Sequence, residues 1–228
     1  MTGPAEDDAP LLTLMPDRLG LPRGRSALPE SEVAASQRGR ILQAVTEEVA
    51  ARGYAATTVQ HVISRARVSR TAFYDQFADK QDAFAHAHLE ASEQLLDLIR
   101  QRVAACADED WRRRLRVGVE AYLAGFEGAP SYAVSFMVEL RGAGPRLLDQ
   151  RDRIVDRHAR NFSRLAEAAA AEDPGVRRPA KLEVIGVIGA ADELATRAIR
   201  ATEPGSAPRL GRLVAPIVAI YEAVLLQS

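Results

Sequence analysis

Between Thr57 and Gln76 the chain sets hydroxyls, an amide, a guanidinium and a phenol at the starts and outer sides of two short helical stretches. Thr57 or Thr58 caps the first, along which Val59, Val62, Ile63 and Ala66 recur at i, i+3, i+4 and i+7. Hydroxyls and free amides at a helix start suit a phosphate oxygen. After a break at Arg67-Val68, Ser69 caps the second stretch, whose inner side carries Ala72, Phe73 and Phe77. Ser69, Arg70, Thr71, Tyr74 and Gln76 then face outward. An arginine can pair with guanine through two hydrogen bonds, and a threonine methyl can meet the methyl of thymine.

These groups need a frame. Ile41, Leu42, Val45 and Val49 mark one face of a helix running from about Ser31 to a stop at Gly53. Three helices within residues 31–78, with a tight turn between the second and third, make a helix-turn-helix. Asp79-Lys80-Gln81-Asp82 resembles a capping box and opens a long helix towards Ala105. Residues 1–30 hold five prolines and little periodicity, which predicts a flexible arm. From Asp108 onward, breakers separate further helices: to near Gly128, from Pro130 to Gly142, from Pro145 to before Asp173, from Pro179 to Thr202, and from Pro208 to Leu226. Pro216, inside the last, should bend it. The fold class expected is therefore all-α: an arm over 1–30, a helix-turn-helix domain over 31–80, and a helical bundle over 81–228.

Composition removes several alternatives. In 228 residues the apolar share is 47% and the charged share 27%, as in an ordinary globular chain. One cysteine excludes a disulfide framework. No apolar run reaches the roughly 18 residues of a membrane span, and the acidic start is no signal peptide, so a cytoplasmic location without membrane contact is expected. A net charge of −1 gives no whole-chain reason to expect nucleic acid, so such a function must be local. No serine–histidine–aspartate spacing, paired carboxylates or glycine-rich phosphate loop appears, so neither an enzyme nor a bound cofactor is expected. His86 and His88 point about 200° apart on a helix and cannot share a metal ion easily.

Gly53 to Phe84, GYAATTVQHVISRARVSRTAFYDQFADKQDAF, resembles the DNA-binding signature of the TetR family of transcriptional regulators. The pattern runs Gly-aromatic, Thr-Thr-Val, an apolar pair, Val-Ser, Thr, an aromatic followed by Tyr, Phe, and a Lys with an amide after it. Arg67 stands where a turn glycine is usual, and Ile63 where a small alanine is usual. The resemblance implies that Thr58, Tyr74 and Lys80 touch phosphate while Arg70 and Thr71 approach base edges. It also implies double-stranded operator DNA as a partner, with a homodimeric repressor released by a small apolar effector. A helical small-molecule-binding module or an enzyme without a DNA role is the alternative. Arg65 and Arg67 read equally as backbone contacts or as solvent charges. Pro22-Arg23-Gly24-Arg25 resembles the core of an AT-hook, so Arg23 and Arg25 are minor-groove candidates beside an incidental reading as tail charges. Gln37, Arg38 and Arg40 are further phosphate candidates.

In the second domain Trp111, Tyr122, Phe126, Phe136, Met137 and Phe162 fall at helical spacing, which suits either core or an effector pocket. Glu139, Arg141 and Asn161 are polar candidates for the same pocket. The last two helices have apolar stripes too broad for one neighbour, which points to a dimer interface at Gly186, Gly189, Ala190, Leu213, Ile217 and Tyr221.

Overall fold

A computed structural model describes residues 30–203 and 206–226, and every regular element among them is helical. Helices α1 (Glu30–Arg52), α2 (Val59–Ala66) and α3 (Arg70–Tyr74) form a compact head. Then come α4 (Lys80–Ala104), α5 (Trp111–Glu127) and α6 (Pro130–Ala133). The bundle is completed by α7 (Pro145–Glu172), α8 (Lys181–Arg200) and α9 (Val214–Leu225). Arg23 and Arg25 lie outside the described residues.

The caps explain where the helices of the head begin. Thr58 accepts a hydrogen bond from the amide of His61 at 3.2 Å, and Ser69 accepts one from Ala72 at 3.0 Å. Asp79 does the same for Asp82 at 2.8 Å, which starts α4. Val62, Ile63, Ala66, Phe73 and Phe77 are buried against Ile41, Leu42, Val45 and Val49 of α1, fixing the angle between α2 and α3.

The turn between them keeps a left-handed residue without glycine: Arg67 sits at φ 53°, ψ 47°. Arg40 donates to the carbonyls of Ala66 at 3.2 Å and Arg67 at 3.4 Å, pinning the turn from α1. A side chain in this region costs about 1–2 kcal/mol, against roughly 0.5–1 kcal/mol of extra entropy lost by glycine. Arg67→Gly should therefore stabilise the protein by about 1 kcal/mol and raise its melting temperature by about 2–4 °C. A calorimetric scan checks this.

Glu48 of α1 is 3% exposed and bridges Arg65 of α2 and Arg52 of its own helix. Burial raises its carboxyl pKa, but the two guanidinium groups outweigh burial and hold it below the ordinary 4.5. A depressed folded value means stability that is present above 4.5 and lost as pH falls through the folded value. Glu48→Gln, which cannot titrate, should lose less stability than the parent between about pH 5 and about pH 3. Denaturant melts across that range test the slope.

Two expectations from sequence are corrected. The stretch from Pro130 to Gly142 is no single α-helix, because α6 widens into a π-helix at Val134–Glu139 and then tightens into a 3-10 turn at Leu140–Ala143. Pro216 does not bend α9: the helix starts at Val214 after a 3-10 turn at Gly211–Leu213, so the proline lies in the first turn, where amides lack partners anyway.

The π-helical segment joins head to bundle. Ser135 donates to the carbonyl of Thr46 at 2.7 Å, and the Glu139 carboxylate accepts the amide of Tyr54 at 3.0 Å. Gln81 donates to the Ala143 carbonyl at 2.7 Å, while Phe84 and Phe136 stack with centroids 5.1 Å apart.

Candidate nucleic-acid interface and ligand cavity

On the head, α3 presents Arg70, Thr71 and Tyr74 to solvent, with Ser69 exposed at its cap and Gln76 half-buried just beyond it. The Arg70 guanidinium lies 5.4 Å from the Tyr74 ring centroid and makes no ion pair among the described residues, and Tyr74 is 45% exposed. Beneath them Phe73 is fully buried, its ring edge-on to Tyr74 at 5.3 Å. A short helix with a sealed floor and an unpaired cation on top can meet an anionic, edge-bearing partner such as duplex DNA. Thr58 is exposed at the start of α2 and adds a hydroxyl to the surface of the head.

Other sequence candidates turn inward. Thr57 is 1% exposed and donates its hydroxyl to the Gly53 carbonyl at 2.8 Å, so the phosphate reading of this residue is corrected to a turn lock. Arg38 is also corrected: it ties α1 to α4 through Glu90 at 2.6 Å and His86 at 3.2 Å, with its guanidinium over Phe77. Lys80 gives its ammonium to the carbonyls of Tyr54 at 2.7 Å, Thr57 at 2.6 Å and Ala55 at 3.4 Å, and lies over the Tyr54 ring at 4.4 Å. All three donors of an ammonium are thereby occupied. Burial pushes its pKa down from 10.5. Lys80 thus braces the turn between α1 and α2. Arg65 is not a free charge, since it pairs with Glu47 and Glu48.

Between α4, α5 and α7, with α8 and α9 contributing to its wall, lies a cavity of about 420 Å³ that opens partly to solvent. That volume lies within the range of small-molecule sites, about 300–1,000 Å³. Its wall is chiefly apolar, built from Ile99, Val103, Leu115, Val119, Phe162, Leu165 and Ile217. Tyr122, His158, Asn161 and Tyr221 supply uncharged polar groups. Tyr122 donates to Asp192 at 2.7 Å, and Arg151 reaches the same carboxylate at 2.9 Å. Burial first, then Asp192, pushes the Tyr122 hydroxyl pKa well above 10. At the other end Arg114 is held by the carbonyls of Ala107 and Glu109 and by Glu172 at 2.5 Å.

Of the six aromatic and methionine candidates for the pocket, Tyr122 and Phe162 line this cavity and four do not. Trp111 is buried and donates to Asp173 at 3.2 Å. Phe126 stacks on Tyr132, Phe136 meets Tyr132 edge-on, and Met137 packs against the core from the π-helix. Glu139 belongs to the head joint, Arg141 is exposed, and Asn161 lines the cavity. Ile217 and Tyr221 face this interior at 1% and 5% exposure, so their placement on an outer interface is corrected. Leu213 is half-buried, while Gly186 and Gly189 are exposed on α8 with Ala190 beside them. Missed in the sequence was Gly118, a mid-helix glycine on the cavity wall: a Cβ there would reach Val103 Cγ2 at 3.4 Å, so α5 approaches α4 closely at that edge of the hollow. No described helix is long and apolar enough to cross a membrane.

Residues 41–87 match the family described as bacterial regulatory proteins, tetR family. Among solved structures, the fatty acid degradation regulator FadR from Bacillus halodurans is similar at 18% identity and TM-score 0.70, over 81% of this chain and 94% of that one. A tetR-family regulatory protein from Rhodococcus RHA1 gives 22% identity and TM-score 0.63, over 84% and 98%. FadR from Bacillus subtilis, in complex with stearoyl-CoA, gives 18% and 0.63, over 82% and 96%. No curated protein matches the chain by sequence. Those identities speak for the fold, and residues 41–87, at the front of an all-helical chain with an exposed α3, carry the sequence signature of the bacterial regulatory proteins of the tetR family.

Proposed function

We propose that the protein is a homodimeric repressor that leaves a near-palindromic operator when a small, largely apolar molecule enters the cavity. The observation that carries this reading is the course of α4. Its first residue, Lys80, braces the helix-turn-helix, and its far end supplies Ile99 and Val103 to the cavity wall. A ligand that prefers one tilt of α4 shifts the spacing of two α3 helices in a dimer, with a coupling of about 1–3 kcal/mol. The stearoyl-CoA of the Bacillus subtilis FadR complex is a precedent for an apolar chain in this fold.

A dimer is supported by α8. Leu182, 80% exposed, lies four and seven residues before the exposed Gly186 and Gly189, so all three share one helix face. A Cβ at either glycine would meet nothing within 4 Å inside the chain. Mid-helix glycine costs about 1 kcal/mol relative to alanine, and close approach of a second helix is a physical reason to retain it. DNase footprinting on the DNA flanking the protein's own gene tests the reading. It should show half-sites one helical turn apart, ~34–36 Å, or a multiple. Equal affinity for that DNA and random duplex would overturn it.

A further inference from the structure

We infer that the molecule taken by this cavity is apolar in bulk and carries an uncharged oxygen group (a ketone, ester or alcohol) met by His158, Asn161 and Tyr221. The inference rests on the proposed reading of the cavity as the effector site and narrows the chemistry of what fills it. His158 and Asn161 lie one turn apart on α7, on the inward face they share with Phe162 and Leu165. Tyr221 reaches the same wall from α9, its ring 4.8 Å from that of Phe162. None of the three side chains makes a hydrogen bond among the described residues. Nor are their polar atoms among those sealed away from any contact, so these groups open into the cavity. On a largely apolar wall a polar group without a protein partner gains from a hydrogen bond, and an incoming oxygen supplies one.

Charge argues for a neutral partner. Asp192 is already matched by Arg151 and Tyr122, and Arg114 by Glu172 and two carbonyls. Beyond the exposed Arg100 and Arg164, which also line the cavity, an ion meets no unpaired counter-charge among the described residues and loses its hydration. Burial holds the His158 imidazole pKa below 6.5 while Asp192 pulls the other way, leaving one donor and one acceptor nitrogen at neutral pH. Tyr221 and Asn161 each both donate and accept, a set suited to a carbonyl or hydroxyl oxygen. Arg164 and Arg100 lie outside this set: both are exposed at the rim, Arg100 beside Asp97.

The test is titration calorimetry on the full chain without DNA, using 2-decanone, 1-decanol and decanoate. The ketone and the alcohol should bind about tenfold more tightly than decanoate. Tyr221→Phe and Asn161→Leu, close in volume to the parent residues, should each weaken the ketone about tenfold, with unliganded melting curves as the control for folding. Tighter binding of decanoate would place the head group at the arginine rim and overturn the inference. So would variants that bind the ketone as the parent does, or no binding of any of the three at millimolar concentration. Operator release is read separately. A ketone that binds through these side chains yet leaves operator occupancy unchanged refutes the release mechanism and supports the binding chemistry.

Discussion

Ile217→Glu is expected to melt far below the parent, because it places a carboxylate in the apolar wall of the cavity. Ile217 is 1% exposed and faces Phe162 and Leu165 across that space. The change removes a packed side chain, worth about 2–5 kcal/mol, and adds a charge to an apolar wall where Arg114 is already matched by Glu172. A total near 4 kcal/mol or more is a large fraction of the roughly 5–15 kcal/mol that holds a protein folded. It lowers the melting temperature by roughly 8–16 °C for a chain of this size. The control is Gly189→Glu on the exposed face of α8, which should melt near the parent yet sediment as a monomer. If Ile217→Glu melts normally and is cleanly monomeric, the side chain faces a second copy and the interior assignment fails.

Helical periodicity told which residues share a face but not what that face meets. The stripe through Leu213, Ile217 and Tyr221 was visible, and it was broad because one part closes a cavity inside the same chain. Positive side chains were equally ambiguous. Arg38, Arg65 and Lys80 carry the charge a phosphate wants, and each is held by a carboxylate or carbonyl from a distant turn. Local chemistry was far more legible. Thr58, Ser69 and Asp79 cap where their types and the following apolar pattern predict, since a cap is decided within four residues. Arg67 keeps the turn in the left-handed region although it lacks glycine's freedom, because Arg40 from α1 grips both flanking carbonyls. The cavity is a property of three helices at once. Its signals, Gly118 and the polar pair His158 and Asn161 on an otherwise apolar face, acquire meaning only when α4, α5 and α7 are set side by side.

Arg70→Ala and Lys80→Met should separate reading DNA from holding the reader. Arg70 is exposed, without an ion pair among the described residues, and steadied by the Tyr74 ring, so its loss leaves the fold intact. Losing a two-bonded base contact costs about 1–3 kcal/mol, roughly five- to 150-fold in affinity, and a dimer loses it in both half-sites. The loss should be concentrated at one base pair of each half-site and small on random DNA. Lys80 holds three carbonyls of the turn between α1 and α2. Its replacement removes charge-assisted bonds worth about 1.5–3 kcal/mol each at most, and the head should lose stability before it loses any phosphate contact. Lys80→Met should therefore bind all sequences more weakly in proportion to a lowered melting temperature, with the slope of affinity against salt unchanged. A true phosphate contact behaves otherwise, since each one removed reduces that slope by about 0.9. Fluorescence anisotropy over a salt series, with cognate and random duplexes for both variants, gives the two numbers. A reduced salt slope for Lys80→Met at parental melting temperature would return this lysine to the DNA backbone.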